Sequence, residues 1–459
     1  MTHPRQSTTR RRKGAAYIVA LLLLCVFCTI GLAIASVANI ELQQCENNHR
    51  AMNARLAAES GLAFMLNVVE KVPLPGSTTE GTFCENLRKV LAERLDGTAN
   101  LGGRSVTNTD TSVFVPEISV DGMSFCAYFT WLEENLCQMK VRGSCSGVTR
   151  HVTINLSFVP KRPGVFDYGL ASRGQVSVFG NARIVGVSNP LEASVLSATK
   201  LHEDAISVSG SATISGDLYA AGEGTHVVIS GSPKIAGSTD PVEIAKHIHQ
   251  GVDEPDFPEI DLAPIAALAT YTLQPSDPAT KTVLNNVRIP AGANPNFASD
   301  IVLNGVMFIE APNDVTFDGR CTLNGIVVTQ NSSEPLGVCQ LKFAGHVEAN
   351  GVEALPDTPE FAAVKQQTGT FILAPGFGVT FAGNFSAING SIAADQLTFT
   401  GTAEGTVKGS VIGLADVLTS VGGNVDIFVD HQSADPNPAG FVKPFALVPV
   451  PDSYAEVTE

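Results

Sequence analysis

The chain has 459 residues, a formal net charge of −16, and 42 glycines and 26 prolines beside few aromatics. That length exceeds one ordinary domain, and the glycine and proline content points to many tight corners rather than large helical cores. An acidic surface repels phosphate backbones, so nucleic acid is excluded as a partner.

Residues 1–14 form a short tail with Arg5, Arg10, Arg11, Arg12 and Lys13 and no acid. From Ala15 to Ala38 there are 24 consecutive residues without a charge, enough to cross a bilayer as a helix. Twelve of them are Leu, Ile, Val or Phe, which on insertion scales contribute on the order of −5 kcal/mol. A basic leader before an apolar span predicts a single-pass protein of the inner (cytoplasmic) membrane, N-terminus in the cytoplasm and bulk in the periplasm or outside. A cleaved secretory signal is the competing expectation, because Ala33-Ile34-Ala35 and Ser36-Val37-Ala38 are small-residue sites. No proline follows Ala15 until Pro73, so one helix is expected over residues 15–72, half in lipid and half in water. In the aqueous half Leu42, Cys45, His49, Met52, Leu56, Glu59, Ala63 and Leu66 recur at alternating spacings of three and four. This stripe packs either on a neighbouring helix or on the protein's own head, and periodicity does not choose between them.

Arg12-Lys13-Gly14, the following ALLLL run and Ala57-Ala58-Glu59-Ser60-Gly61-Leu62 resemble the N-terminal region of PilX-type minor pilins and type IV pilus assembly proteins, over residues 12 to about 66. The resemblance implies processing between Gly14 and Ala15, and assembly contacts through Leu56, Ala58, Glu59 and Gly61 with other pilin-like proteins. Val19 stands where type IV pilins carry a glutamate at the fifth mature position. That departure favours an accessory role over a major subunit.

Pro73-Leu74-Pro75-Gly76 ends the helix, and a short helix is expected from about Thr82 to Leu95. From Val113 the segments MSFCAYFTW, NLCQMKVRG and TRHVTINLSFV read as an antiparallel meander, giving a small α+β pilin-like head over residues 73–163. An eleven-residue unit φ-x-φ-x-G-x-x-x-φ-x-G, with φ apolar, then recurs at Val176–Gly186, Ile206–Gly216, Val227–Gly237, Val315–Gly325 and Leu341–Gly351. Near matches lie at Ile301–Ala311, Val379–Gly390 and Leu397–Gly413. Short strands facing one interior with glycine at the corners predict a right-handed β-helix (β-solenoid), in two parts at residues 164–240 and 281–430, with a β-sandwich as the alternative. Residues 241–280, rich in proline and acid, read as an excursion with a helix expected over Pro241–Gln250. The tail 431–459, with five prolines, is expected to run extended over the last coil. The expected fold class is mainly β.

Seven cysteines lie beyond the apolar span, where disulfides persist after export. Cys321 and Cys339, 18 residues apart, are expected to bridge adjacent coils, while Cys84, Cys126, Cys137 and Cys145 allow three pairings. His247 and His249 fall in the excursion without a completing ligand set, and acids such as Asp217 and Asp318 stand alone, so no metal, cofactor or catalytic residue is expected. The function expected is a structural accessory component of a type IV pilus or related secretion apparatus, not an enzyme. The alternative is an envelope-anchored β-helix that binds or cleaves surface carbohydrate, and a carboxylate cluster on one face would favour it. A polymer-forming scaffold resembling bactofilins is a third reading, opposed by export and by the proline tail.

Overall fold

The computed structural model describes residues 13–457, with side chains from Tyr17 onward. The chain is mainly β and divides into two compact units. The first comprises Met1–Leu74, Thr78–Val159 and Ala446–Glu459, and the second Pro75–Ser77 and Pro160–Phe445. The second unit is therefore an insertion in the chain of the first. Its two ends are tied together, Lys161 N–H donating to Pro444 O at 2.8 Å.

In the first unit α1 runs Lys13–Glu70 without a break, and α2 runs Glu80–Leu95 with Thr79 as its N-cap. An antiparallel sheet follows, made of β1 (Thr107–Asn108), β2 (Ser112–Val120), β3 (Met123–Glu133), β4 (Leu136–Cys145) and β5 (Val148–Pro160). The three expected meander segments are β3, β4 and β5. α2 buries Phe83, Leu87, Leu91 and Leu95, and Phe83 meets Trp131 at 5.4 Å and Phe158 at 5.9 Å between ring centroids. The tail departs from expectation. Phe445–Pro449 and Ala455–Val457 join this sheet beside β5, where Val450 N–H donates to Asn155 O at 2.9 Å, because the outer edge of β5 offers unpaired backbone groups.

The second unit is built from parallel strands in three columns, each strand pairing with the layers before and after it. One column runs through Asn296–Phe297, Asp314–Phe317, Gln340–Phe343, residues 378–381, residues 397–399, Thr419–Gly423, Val176–Gly180, Asp204–Val208 and His226–Ile229. Inside it Phe297, Phe317, Phe343, Phe381 and Phe399 stack at 4.9 to 5.1 Å with planes within 14° of parallel. Valines continue the same line at Val421, Val178 and Val208. Beside it Asn304 donates to Asn285 (3.0 Å), Asn324 to Asn304 (2.9 Å) and Asn350 to Asn324 (3.0 Å). The first glycine of the eleven-residue unit turns the corner between columns. Gly210, at φ +75°, lies so close to the layer below that a Cβ would sit 2.8 Å from Gly180 O. The Ile301 near match is out of phase, since its strand belongs to a different column.

The order of layers differs from the order of the chain. Val411–Gly413, near the end of the second repeat group, pairs with Leu170–Ser172 at the start of the first. The chain thus enters mid-stack, and residues 253–280 carry it from one end to the other. Within the excursion the expected helix over Pro241–Gln250 is one α-helical turn at Pro241–Ile244 followed by a 3-10 turn at Ala245–His247, and it stops there because the chain turns into a strand at Ile248–Val252 that pairs with Leu218–Ala221.

The Cys321–Cys339 bridge is not made, and all nine cysteines are free thiols. One layer takes 20 residues from Ile301 to Cys321 and 26 from Cys321 to Val347, so an 18-residue step lands in another column. There the Cys339 carbonyl accepts from Gly378 N–H at 3.0 Å. In the head Cys84, Cys126, Cys137 and Cys145 are buried and unpaired, and burial pushes the Cys137 thiol up to about 12.

Replacing Phe343 by Ala should cost the second unit about 3–5 kcal/mol, measured by denaturant unfolding, since two stacked neighbours lose their partner. Half-buried His431, whose Nε2 lies 3.3 Å from Ser410 Oγ, is held below the usual imidazole range, chiefly by removal from water. Its neutral form fits the fold, so its contribution is present above the unfolded value of about 6.5 and lost as pH falls through the lower folded value. The variant His431→Asn should flatten the acid limb of Tm against pH.

Candidate functional site: the outward face of the long helix

Helix α1 is the one described helix long and apolar enough to cross a membrane. Its residues from Tyr17 to His49 are exposed throughout, so the protein supplies no cover for this apolar surface. Beyond Arg50 the helix has two faces. One packs on β3 and β4 through Ala54, Ala57, Ala58, Leu62, Met65 and Val69, all buried. Small residues on both sides permit this approach, because a Cβ at Gly143 would lie 2.2 Å from Ala54 O and one at Gly61 would lie 2.5 Å from Phe125.

The heptad-like stripe is the other face. Leu42 is 68% exposed, Met52 63% and Leu56 46%, and Ala63 is exposed as well. The head is packed chiefly by a neighbouring face richer in alanine, and of the stripe only Glu59 and Leu66 are half-buried. The four residues assigned to assembly divide accordingly. Ala58 and Gly61 hold α1 against its own sheet, whereas Leu56 and Glu59 point outward.

Around Glu59 lies a cavity of about 500 Å³ lined by Met52, Arg55, Leu56, Glu59, Arg150 and Glu456. Arg55 Nε donates to Glu59 Oε1 at 2.9 Å, and its Nη1 is 3.4 Å from Glu456 Oε2. The hydrogen bond to Glu59 and the Glu456 charge raise the Arg55 pKa further. Tyr454 Oη donates to Glu59 at 3.3 Å, and burial followed by the Glu59 charge pushes the phenol up. Arg150, Tyr454 and Glu456 were not foreseen, because they reach the helix only through the sheet and the returning tail.

The stripe continues in the same phase into the apolar span through Cys28, Gly31, Ala35 and Ala38, which are small and exposed. Nothing in the chain lies within 4 Å of a Cβ built at Gly31. The spacing of these four residues was readable in advance by extending the heptad backward from Leu42. The processing pair Gly14 and Ala15 lies in the backbone of α1, their side chains and residues 1–12 being outside the described residues.

In the second unit the structure brings His247 and His249 together on Asp217. His247 Nδ1 is 2.8 Å from Oδ1 and His249 Nε2 is 3.0 Å from Oδ2, with Tyr219 stacked on His249 at 4.5 Å. Both carboxylate oxygens are engaged by the rings, and among the described residues no group of three or more His, Cys, Asp or Glu is arranged to hold a metal ion.

No family model matches the chain, and no curated protein matches it. Among solved structures, the competence-associated pilin ComZ from Thermus thermophilus aligns with 89% of this chain and 96% of its own length, at 13% identity and a TM-score of 0.26. A score that low assigns neither fold nor function.

Substituting Gly61 by Val should destabilise the head by about 1–3 kcal/mol through overlap with Phe125, whereas Leu56→Ser should change stability by less than about 0.5 kcal/mol. Thermal unfolding of the two variants separates the packing face from the outward face.

Proposed function

We propose that the chain is a membrane-anchored accessory component of a type IV pilus or related secretion apparatus, held in the inner membrane by α1 with its N-terminus in the cytoplasm, and displaying a right-handed β-solenoid outside. The observation that carries this is the outward stripe. One helical face, exposed from the apolar span to Leu56 and again at Ala63, presents small residues at membrane depth and Leu42, Met52 and Leu56 above it. In lipid, close approach of helices depends on small residues, and above it apolar residues at alternating spacings of three and four suit a neighbouring helix. The partners fitting this face are the helices of other pilin-like or pilus-assembly proteins in the same membrane. The resemblance of residues 12 to 66 to PilX-type proteins supports the same assignment, with cleavage after Gly14 as its processing step. The three parallel columns with glycine corners support the solenoid, and the near-universal right-handedness of parallel crossovers supports its hand. The unit acts as a displayed structural element, not as an enzyme.

The test is site-specific photocrosslinking in cells carrying the parent apparatus. A crosslinker at Met52 or Leu56 should capture a membrane partner, and one at Ala58 should not. Equal yields at all three positions, or none at any, would sink the assignment.

A further inference from the structure

We infer that the second unit carries a binding groove for a neutral oligosaccharide, a reading independent of the membrane anchor and its partners. The groove has a volume of about 810 Å³, within the usual range for small-molecule sites. Its floor is a line of corner positions on five successive layers. Asn331 follows the strand ending at Thr329, Pro375 and Asp395 sit where their strands turn from one column to the next, and Leu414 and Arg173 directly follow Gly413 and Ser172. Layers about 4.8 Å apart make this line roughly 19 Å long, parallel to the stack, so it suits a chain of rings better than one ring. The opposite wall is the short strand Glu259–Ile260 paired with Phe441–Val442.

The chemistry along the groove is that of hydroxyl recognition. Glu259 is fixed by Ser77 Oγ, which donates to it at 2.8 Å, and Asp261 accepts from Ala263 N–H at 3.1 Å, leaving each carboxylate further acceptor capacity. The Arg173 guanidinium lies over the Phe257 ring at 4.4 Å and stands 3.9 Å from Glu254, so it is oriented yet keeps donors free. Asp395 accepts the Gly376 N–H and has no cationic partner among the described residues, and burial raises its pKa above the usual carboxylate range. Pro258, Ile260, Pro375 and Val442 add apolar surface for the C–H faces of sugar rings.

Three acids against one arginine disfavour phosphate or uronate chains. An extended peptide fits less well, because the layers beneath the groove have their backbone groups paired above and below and offer no ladder to extend.

The test is isothermal titration of the full chain in detergent micelles with cellotetraose, chitotetraose, maltotetraose and mannotetraose, and with tetralysine as the peptide arm. At least one tetrasaccharide should bind with a Kd of about 1 mM or tighter. Asp395→Leu and Arg173→Ala should each weaken that binding about tenfold, while Asp395→Asn stays within about threefold. Should a charge variant fail to fold, Asn331→Trp, at an exposed position, should block the groove and abolish binding by itself. Absence of saccharide binding at about 10 mM, binding indifferent to these variants, or binding of tetralysine alone would overturn the inference. None of those outcomes alters the crosslinking expected of α1.

Discussion

The second unit depends on one constraint: a strand in its columns has its backbone groups satisfied only by the layers on either side, so side chains at equivalent positions must tolerate their own kind at about 4.8 Å. Aromatic rings meet this by stacking face to face, and the five phenylalanines do so. Asparagines meet it by passing one amide hydrogen bond from layer to layer. Glycine meets it where the backbone itself closes the distance, as at Gly210 over Gly180. The register is pinned by these like-on-like contacts, because a slip of one residue would reverse inward and outward positions and break all three ladders together.

The same constraint explains how a long unit is inserted in a small one. A stack has no need for its chain to begin at one end, since every layer contributes the same kind of interface. Entry in mid-stack, followed by the crossing at residues 253–280, leaves both connections beside each other at Lys161 and Pro444. The head therefore resumes its sheet with Phe445–Pro449 as though the intervening residues were a hairpin loop. Loop-closure entropy for so large an insertion is already met by the folded unit, whose ends are held together.

In the first unit the decisive feature is the size of residues along α1. Alanine and glycine on one face let the helix backbone approach β3 and β4, and that approach leaves the larger stripe of Leu42, Met52 and Leu56 turned outward. Glu59 sits at the margin, tied to Arg55 on its own helix and to Tyr454 from the returning tail. A partner approaching the outward face would meet a charged network already arranged at its edge.

The sequence by itself determined the elements that rest on local rules. The uncharged run and the absence of proline between Ala15 and Pro73 specify the long helix, alternation specifies the meander, and the glycine-spaced units specify short strands sharing an interior. Tertiary structure decided everything that depends on which layer meets which. The layer order, the destination of the tail, the separation of Cys321 from Cys339 and the meeting of His247 and His249 on Asp217 follow from variable loop lengths, which no repeat spacing encodes. The groove along Asp395 and Arg173 was hidden for the same reason, its residues being scattered through the chain and aligned only by stacking. Helix α1 shows both halves of this division: its length and its stripe were legible, but only packing on the sheet could show which face the head covers.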